Sequence, residues 1–407
     1  MAKAAKERIG ILGGTFNPIH QGHIAMAQCA LTSASLTRVL LLPDSVPPHK
    51  TGIAPKEDRW RMVCAAAEGI EGLEPCRMEL DREGTTYTFD TLTALRGENP
   101  KAELYYIIGT DTLMELRNWH RWREVLGLCT FLVCPRRTDH APAAVRAERA
   151  LLEGLGAKIR PLTMEPVDVS STELREALAG DAPTGLISPA VRAYCHARGL
   201  YGTPEVDPRS EQWMEQLFRD LTVKRFAHTL GVAFIARNLA RVHHVDDRKA
   251  EIAGLLHDCA KCLPLKDMQR IALDHALTSD KETLASGALL HSVAGAWMTE
   301  HVYGVEDPEI LAAIACHTTG KVGMSRLDLV VYLADKIEPG RPSYPLLDKV
   351  RIMAPLSLER AVLTSMEGTM AYVSGKGKPI HHQTLDTVAW LRSLPENSGR
   401  SQAEAKE

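Results

Sequence analysis

Two histidines three residues apart follow a glycine turn in the run Gly13-Gly14-Thr15-Phe16-Asn17-Pro18-Ile19-His20-Gln21-Gly22-His23. Glycine lets the backbone approach a polyphosphate with no Cβ in the way. Side chains three apart share one side of a first helical turn. A helix N-terminus adds unpaired N–H groups and the positive end of its dipole. His20 and His23 can therefore face one phosphate, and the stretch suits stabilisation of charge on a phosphoryl group in transfer.

A second set of polar residues lies downstream: His228, the pair His257-Asp258, His291, His317 and Asp335. Each falls on or at the end of a separate segment with helical spacing, so a bundle core can gather them all. Imidazole and carboxylate together suit Fe, Mn, Zn or Co. An Asp between two ions can bridge them, and water held there ionises near neutral pH, which is a phosphohydrolase design. Ionisable groups after apolar runs such as Ile252–Leu256 and Ala288–Leu290 are costly to bury without partners or a metal.

The elements that must position these residues differ between the two halves. Arg8–Leu12, Arg38–Pro43, Glu103–Gly109, Thr130–Pro135 and Lys158–Leu162 are short, apolar and β-rich. Helical spacing appears near His23–Leu31, Pro55–Glu68, Thr88–Leu95, Trp119–Leu126, Ala141–Leu152, Ser171–Ala179 and Pro189–Arg198. This alternation predicts an α/β domain with a parallel sheet, over residues 1–202. Ligands of such sheets lie at the carboxyl ends of strands. The Gly13-Gly14 turn and Gly109-Thr110-Asp111 both follow strands there. The polar, proline-containing stretch 203–211 reads as a linker. Segments 211–240, 246–260, 280–303, 307–319 and 325–337 show helical spacing, so 212–395 reads as an all-α bundle. Residues 396–407 read as a disordered tail.

Composition narrows the function classes. The chain has 407 residues, 24% charged and 45% hydrophobic, as ordinary globular proteins do. A net charge of −3 argues against nucleic acid as a partner, though not against nucleotides. No apolar run reaches the length of a membrane span, and no h-region follows the basic start. Nine scattered cysteines fit reduced thiols in a cytoplasm. Cys259 and Cys262 form a C-x-x-C, which reads as chance spacing because no βαβ context surrounds it.

The first half resembles the H-x-G-H nucleotidyltransferase superfamily, and within it the nicotinate-nucleotide adenylyltransferases. The resemblance runs over residues 8–201 and rests on ordered motifs. They are G-G-T-F-N-P-I-H-Q-G-H, P-P-H-K at 47–50, T-Y-T-F-D-T at 86–91 and I-I-G-T-D at 107–111. W-H-R-W at 119–122, V-S-S-T-E-L-R at 169–175, S-P-A-V-R-A-Y at 188–194 and G-L-Y at 199–201 complete them. The resemblance implies a Rossmann-like sheet and in-line attack of nicotinate mononucleotide on the α-phosphorus of ATP, with Mg²⁺ bridging phosphates and pyrophosphate leaving. It implies that His20 and His23 contact the ATP phosphates and that Gly13, Gly14, Thr15 and Phe16 hold nucleotide and substrate. Ser171, Thr172 and Arg175 would bind the triphosphate at a helix start, and Lys50 would neutralise phosphate. Thr86, Tyr87 and Trp119 would frame the pyridine, with Gly109 and Asp111 at the ribose or adenine. Position 17 is Asn where the family most often has Asp.

The second half is similar to the HD-domain phosphohydrolases, and in particular to the YqeK-like diadenosine tetraphosphate hydrolases that cut symmetrically. The cues are R-F-A-H-T-L-G-V at 225–232, H-D-C-A-K at 257–261, H-T-T-G at 317–320 and A-D-K-I-E-P-G-R at 334–341. The resemblance implies a di-iron site, or its Mn, Co or Zn counterpart, on His228, His257, Asp258, His291, His317 and Asp335. It implies that Asp258 is also catalytic and that Lys261 and Arg341 meet substrate phosphates. The expectation is thus a bifunctional cytoplasmic enzyme that acts on ATP, nicotinate mononucleotide and diadenosine tetraphosphate. Three alternatives stay open: another H-x-G-H enzyme such as a pantetheine-phosphate adenylyltransferase, a hydrolase of another nucleotide, and a nucleotide-sensing second half. Oligomeric state also stays open.

Overall fold

The computed structural model describes residues 6–45, 52–136, 141–167, 169–182, 184–203 and 206–398. The chain divides into two compact units, Met1–Val191 with Leu200–Thr203, and Arg192–Gly199 with Pro204–Glu407.

Apolar runs set the first unit. Strands β1 (Arg8–Gly14), β2 (Arg38–Pro43), β3 (Leu73–Pro75), β4 (Glu103–Gly109), β5 (Thr130–Cys134) and β6 (Lys158–Pro161) form one sheet in the order β3-β2-β1-β4-β5-β6. All pairings are parallel, with Ile9 opposite Arg38 on one side of β1 and opposite Leu104 on the other. Helices cover both faces, so the central strands are apolar on both sides rather than alternating. Ile9, Ile11, Leu42, Tyr106, Ile108 and Phe131 pack with Leu92, Leu95, Leu116 and Leu152 in one buried cluster. The helices are α1 (Gln21–Ser33), α2 (Lys56–Ala67), α3 (Thr88–Glu98), α4 (Thr110–Glu115), α5 (Trp122–Val125), α6 (Pro142–Gly154) and α7 (Ser171–Ala179). Helix α8 (Pro189–Ala197) follows. The sheet order reverses direction between β1 and β4. Their carboxyl ends are therefore the topological switch point, where such sheets bind ligands.

The expected strands all appear, each within a residue or two. Strand β3 is an addition: Leu-Glu-Pro carries no apolar run, and pairing with β2 alone makes it a strand. Tight packing dictates two glycines. A Cβ on Gly13 would lie 2.6 Å from the Tyr106 Oη. A Cβ on Gly22 would lie 2.8 Å from Val169 and 3.0 Å from the His20 ring, so the glycine of H-x-G-H gives the imidazole its room.

The second unit is all helix: α9 (Ser210–Asp220), α10 (Val223–Val242), α11 (Asp247–Leu256), α12 (Leu265–Asp274), α13 (Lys281–Ala285), α14 (Gly287–His301) and α15 (Pro308–Cys316). Then come α16 (Arg326–Ile337), α17 (Pro345–Met353), α18 (Leu358–Gly375), α19 (His382–Ser393) and α20 (Pro395–Ser398). Side-chain caps set several starts. Thr222 accepts from Arg225 N–H, Asp246 from Lys249 N–H, and Ser325 and Asp328 cap each other's N–H groups. The Thr222 cap divides the segment read as 211–240 into α9 and α10. The expected linker 203–211 holds the start of α9, with Ser210 fully buried. Of the expected tail 396–407, the first three residues belong to the helix Pro395–Ser398, and 399–407 lie outside the described residues. Among the described residues no helix is long and apolar enough to cross a membrane. All nine cysteines are free thiols; Cys259 is buried with its Sγ 3.4 Å from Gly295 O, and Cys262 is exposed.

One buried cation ties the loops at the switch point. Arg59 on α2 is 1% exposed. Its guanidinium donates to Thr15 O (2.8 Å), Ser45 O (2.9 Å), Asp44 Oδ1 (3.1 Å) and Ala54 O (3.2 Å). The turn it grips includes Phe16 at φ 47°, a conformation that costs a bulky residue roughly 1–3 kcal/mol. Arg59→Ala should destabilise the first unit by about 3 kcal/mol, because it strands three carbonyls and the half-buried Asp44 carboxylate. Arg59→Lys should restore only part of this, since an ammonium lacks the planar fork. Urea unfolding of both variants checks the ranking; equal stability of Arg59→Ala and wild type would contradict it.

Candidate functional sites

In the first unit a cleft of about 810 Å³ opens at the carboxyl ends of β1 and β4. It brings together Gly13, Gly14, Thr15, Phe16, His20, His23, Thr86, Gly109, Asp111, Trp119, Ser171, Thr172 and Arg175. Tyr87 is not on its lining; it is 41% exposed and lies against His120, with ring centroids 4.3 Å apart. Lys50 lies outside the described residues.

His20 is the last residue before α1, and its N–H donates to His23 Nδ1 at 3.3 Å. Accepting there leaves the proton of a neutral His23 on Nε2. The two rings stack at 3.7 Å, and His23 meets Phe16 edge-on at 4.9 Å. His20 is 5% exposed, and its Nδ1 is buried without a hydrogen-bond partner. Burial, helped by the Arg136 charge, pushes its imidazole down to about 4. Arg175 on α7 donates to Asn17 O and to Thr172 Oγ1, each at 3.0 Å. Ser170 caps α7 by accepting from Thr172 N–H. Arg136 pairs with Asp111 at 3.3 Å. Trp119 stands edge-on to Tyr106 at 5.7 Å.

Asn17 has a structural use for its amide. Its Oδ1 accepts from Ala54 N–H (3.0 Å) and the Tyr201 hydroxyl (2.8 Å), and its Nδ2 donates to Gly52 O at 3.3 Å. A carboxylate there could not donate. Sequence reasoning passed over Asp44, Glu79 and Arg136, which also line this cleft. Glu79 accepts from Thr91 Oγ1 at 2.7 Å, and burial raises its carboxyl above the ordinary range. Glu79 stands among Arg77, Asp81 and Arg82, so no local signal in the sequence marks it.

In the second unit six side chains converge from five helices. His228 lies on α10, His257 ends α11 with Asp258 next, His291 lies on α14, His317 ends α15, and Asp335 lies on α16. All but His228 are 6% exposed or less. Each histidine is tied through Nδ1: His257 to Gly254 O (2.7 Å), His317 to Ile314 O (2.7 Å), His291 to Gly287 O (3.1 Å) and His228 to Glu338 Oε1 (3.1 Å). The Nδ1 atoms thus carry protons, and the Nε2 lone pairs turn inward.

Those Nε2 atoms divide between the two oxygens of Asp258. His291 and His317 stand 3.0 and 3.7 Å from Oδ1; His257 and His228 stand 3.4 and 3.7 Å from Oδ2. Asp335 Oδ1 is 3.1 Å from His228 Nε2. Yet His228 Nε2, His257 Nε2 and Asp258 Oδ1 are buried without hydrogen-bond geometry to a partner. Ligands about 2.1 Å from an octahedral ion lie about 3 Å apart, which matches these separations. The residues therefore fit two divalent cations, with His228, His257, Asp258 and Asp335 around one and Asp258, His291 and His317 around the other.

The electrostatics of His291 and His317 agree. Burial lowers His291 and His317, keeping their lone pairs available. Burial opposes protonation of His228 too, but the Asp335 and Glu338 carboxylates outweigh it. Burial works against ionisation of Asp258, but the surrounding histidines hold it well below the ordinary carboxylate range. Lys261 Nζ reaches His291 Nε2 at 3.1 Å, and Arg341 pairs with Asp335 Oδ1 at 2.8 Å. Arg225 donates to Asp258 Oδ2 at 2.7 Å and Lys336 to Asp335 Oδ2 at 2.8 Å. Glu338 and Arg225 were not singled out from sequence, although both stand inside the motifs quoted above.

His20 has a consequence for stability. Its folded value lies below the ordinary 6.5, so the unfolded chain binds the extra proton between those values. The stability it contributes is complete above pH 6.5 and falls by up to about 3 kcal/mol as the pH drops toward 4. Urea unfolding at pH 7 and pH 4.5 should show a smaller acid loss for His20→Asn than for wild type. Parallel losses would contradict the shift.

Each half of the chain matches a known family. The cytidylyltransferase-like family matches residues 11–177 and the HD domain matches residues 225–340. A Mycoplasma genitalium protein, named a probable nicotinate-nucleotide adenylyltransferase/Ap4A hydrolase, is 28% identical over 89% of this chain and 97% of its own length. A Gloeobacter violaceus probable nicotinate-nucleotide adenylyltransferase is 39% identical over 49% of this chain and 98% of its own. Among solved structures, an HD superfamily hydrolase involved in NAD metabolism from Clostridium acetobutylicum is 38% identical, covers 45% of this chain and 96% of its own, and gives a TM-score of 0.44. The chain belongs to the nicotinate-nucleotide adenylyltransferase family through its N-terminal half and carries an HD domain in its C-terminal half.

Proposed function

We propose that the first unit joins ATP and nicotinate mononucleotide to give nicotinate adenine dinucleotide and pyrophosphate. A phosphate oxygen of the mononucleotide attacks the α-phosphorus, and the bond to the β-phosphate oxygen breaks, so pyrophosphate leaves with the electron pair. No covalent nucleophile is needed, only positioning and charge neutralisation. The carrying observation is the stacked His20–His23 pair beside Arg175 and Arg136 at the mouth of the glycine turn. His23 Nε2 donates to the phosphate that gains charge, Arg175 and the start of α7 hold the triphosphate, and Trp119 frames the pyridine. Mg²⁺ arrives with the ATP.

We infer that the second unit hydrolyses diadenosine tetraphosphate to two ADP. The Mycoplasma relative's name supports that substrate, and the ligand geometry supports phosphoanhydride hydrolysis, in which water attacks one of the two central phosphorus atoms and ADP leaves. The carrying observation is Asp258 placed between two sets of inward-facing Nε2 atoms. When bound, a pair of iron ions, or Mn, Co or Zn, supplies Lewis acidity at the phosphate oxygens. Lys261 and Arg341 supply positive charge for the flanking phosphates. A cytoplasmic enzyme fits the nine free thiols.

Each activity should fail alone. His23→Ala should lower adenylyl transfer by roughly 10²–10³-fold in kcat, as loss of one transition-state donor does elsewhere, and leave tetraphosphate hydrolysis intact. His257→Ala with Asp258→Ala should abolish bound metal and hydrolysis and leave dinucleotide synthesis intact. Dinucleotide formation and ADP release, measured on each full-length variant, check both. Loss of both activities in either variant, with the fold preserved, would contradict the assignment.

Glu338 should act through His228. Glu338→Ala should weaken metal binding at the HD centre by about 10–100-fold, with Glu338→Gln recovering part of it. Metal competition against a chromophoric chelator measures this; unchanged affinity in Glu338→Ala would contradict the positioning role.

A further inference from the structure

Away from the Asp258 centre, Asp280, His381 and His382 place a carboxylate oxygen and two imidazole nitrogens within 4.8 Å of one another. Asp280 caps α13, and the histidines stand at the start of α19, 101 residues along from Asp280 in the case of His381. His381 Nε2 lies 2.9 Å from Asp280 Oδ2. Glu282 adds a second carboxylate, its Oε2 3.9 Å from both His381 Nε2 and His382 Nδ1. The two rings lie 4.4 Å apart. Four ligands about 2.0–2.1 Å from a tetrahedral cation stand roughly 3.4 Å from one another, within the range seen here.

The donors have the character of a site with an open side. The His381 side chain is 7% exposed, whereas Glu282 and His382 are 59% and 62% exposed. One anchor is therefore buried, and two donors face the solvent from which an ion would come. Thr283 N–H, the Thr283 hydroxyl and His381 Nε2 all bond to Asp280 Oδ2, so none of the three engages Oδ1. A helix cap requires only Asp280 and Thr283. Here a second carboxylate and two adjacent imidazoles converge on the cap as well.

We propose that Asp280, Glu282, His381 and His382 form a divalent-cation site of the zinc class, separate from the Asp258 centre, that clamps the start of α13 to the start of α19. Mixed imidazole and carboxylate donors in a four-ligand set favour Zn²⁺, Co²⁺ or Ni²⁺ over Ca²⁺ or Mg²⁺. The clamp joins segments that border the HD centre. Helix α13 leads through Ser286 into α14, which carries His291. Gln383 in the first turn of α19 accepts from Thr319 Oγ1 at 3.0 Å, two residues beyond His317. An ion bound only by the folded state raises its stability by mass action.

The test compares wild type with His382→Ala, an exposed substitution that leaves the Asp280–Thr283–His381 cap in place. Metal-free full-length protein is equilibrated with Co²⁺, desalted and counted for metal, and its melting temperature is recorded with and without the ion. The expected result is one Co²⁺ per chain fewer in His382→Ala, with binding to this site weakened at least about tenfold and the corresponding gain in melting temperature lost. Equal metal counts in the two proteins would overturn the site. Because both keep an intact Asp258 centre, the difference between them does not depend on what that centre binds.

Discussion

A carboxylate 2% exposed, at Asp258, is the constraint around which the helical unit is built. Taking an ionised group out of water costs several kcal/mol unless charge and hydrogen bonds compensate it. Arg225 answers one oxygen directly. The remaining compensation comes from imidazoles on four helices, each turned by a bond through its far nitrogen. Three of those bonds end on a backbone carbonyl three or four residues upstream. Helix ends at His257 and His317 thus do two things at once: they stop the helix and they aim the ring. The fold fixes the donor atoms before any ion arrives, which is what preorganisation requires.

The first unit handles phosphate differently. It offers hydrogen-bond donors and two arginines at the carboxyl ends of the central strands, where strand order reverses. Its buried charge, Arg59, holds the loops beneath the cleft lining at Thr15 and Asp44. By gripping Thr15 O, Asp44 and Ser45 O together, it keeps Phe16 in its unfavourable backbone conformation and the glycine turn in place. Burial and the Arg136 charge both oppose a positive charge on His20 and favour its neutral form. One unit therefore presents fixed hydrogen-bond donors, and the other a set of cation ligands. This difference is the physical reason that the two sites do not resemble each other.

Much of this was legible in the sequence because the decisive signals are local. The Gly13–His23 run, the strand-helix alternation and the helix-end histidines each follow from spacing within a dozen residues. What escaped depends on contacts between distant segments. Strand β3 exists only through its neighbour β2. Glu338 reaches His228 across 110 residues, and Arg59 gathers four loop atoms that no spacing rule connects. Tyr87 illustrates the reverse case: its motif matched, but its ring turns to His120 instead of lining the cleft. The break at Ser286, which separates α13 from α14, was likewise invisible to helical periodicity.

The central claim is that Asp258 stands between two ions, one for each of its oxygens. Anomalous diffraction from crystals of metal-loaded full-length protein tests this most directly. The account predicts two peaks about 3.5–4 Å apart, both within bonding reach of Asp258, one beside His228 and His257 and the other beside His291 and His317. A single peak, or two peaks with Asp258 bound to neither or to only one, would contradict it.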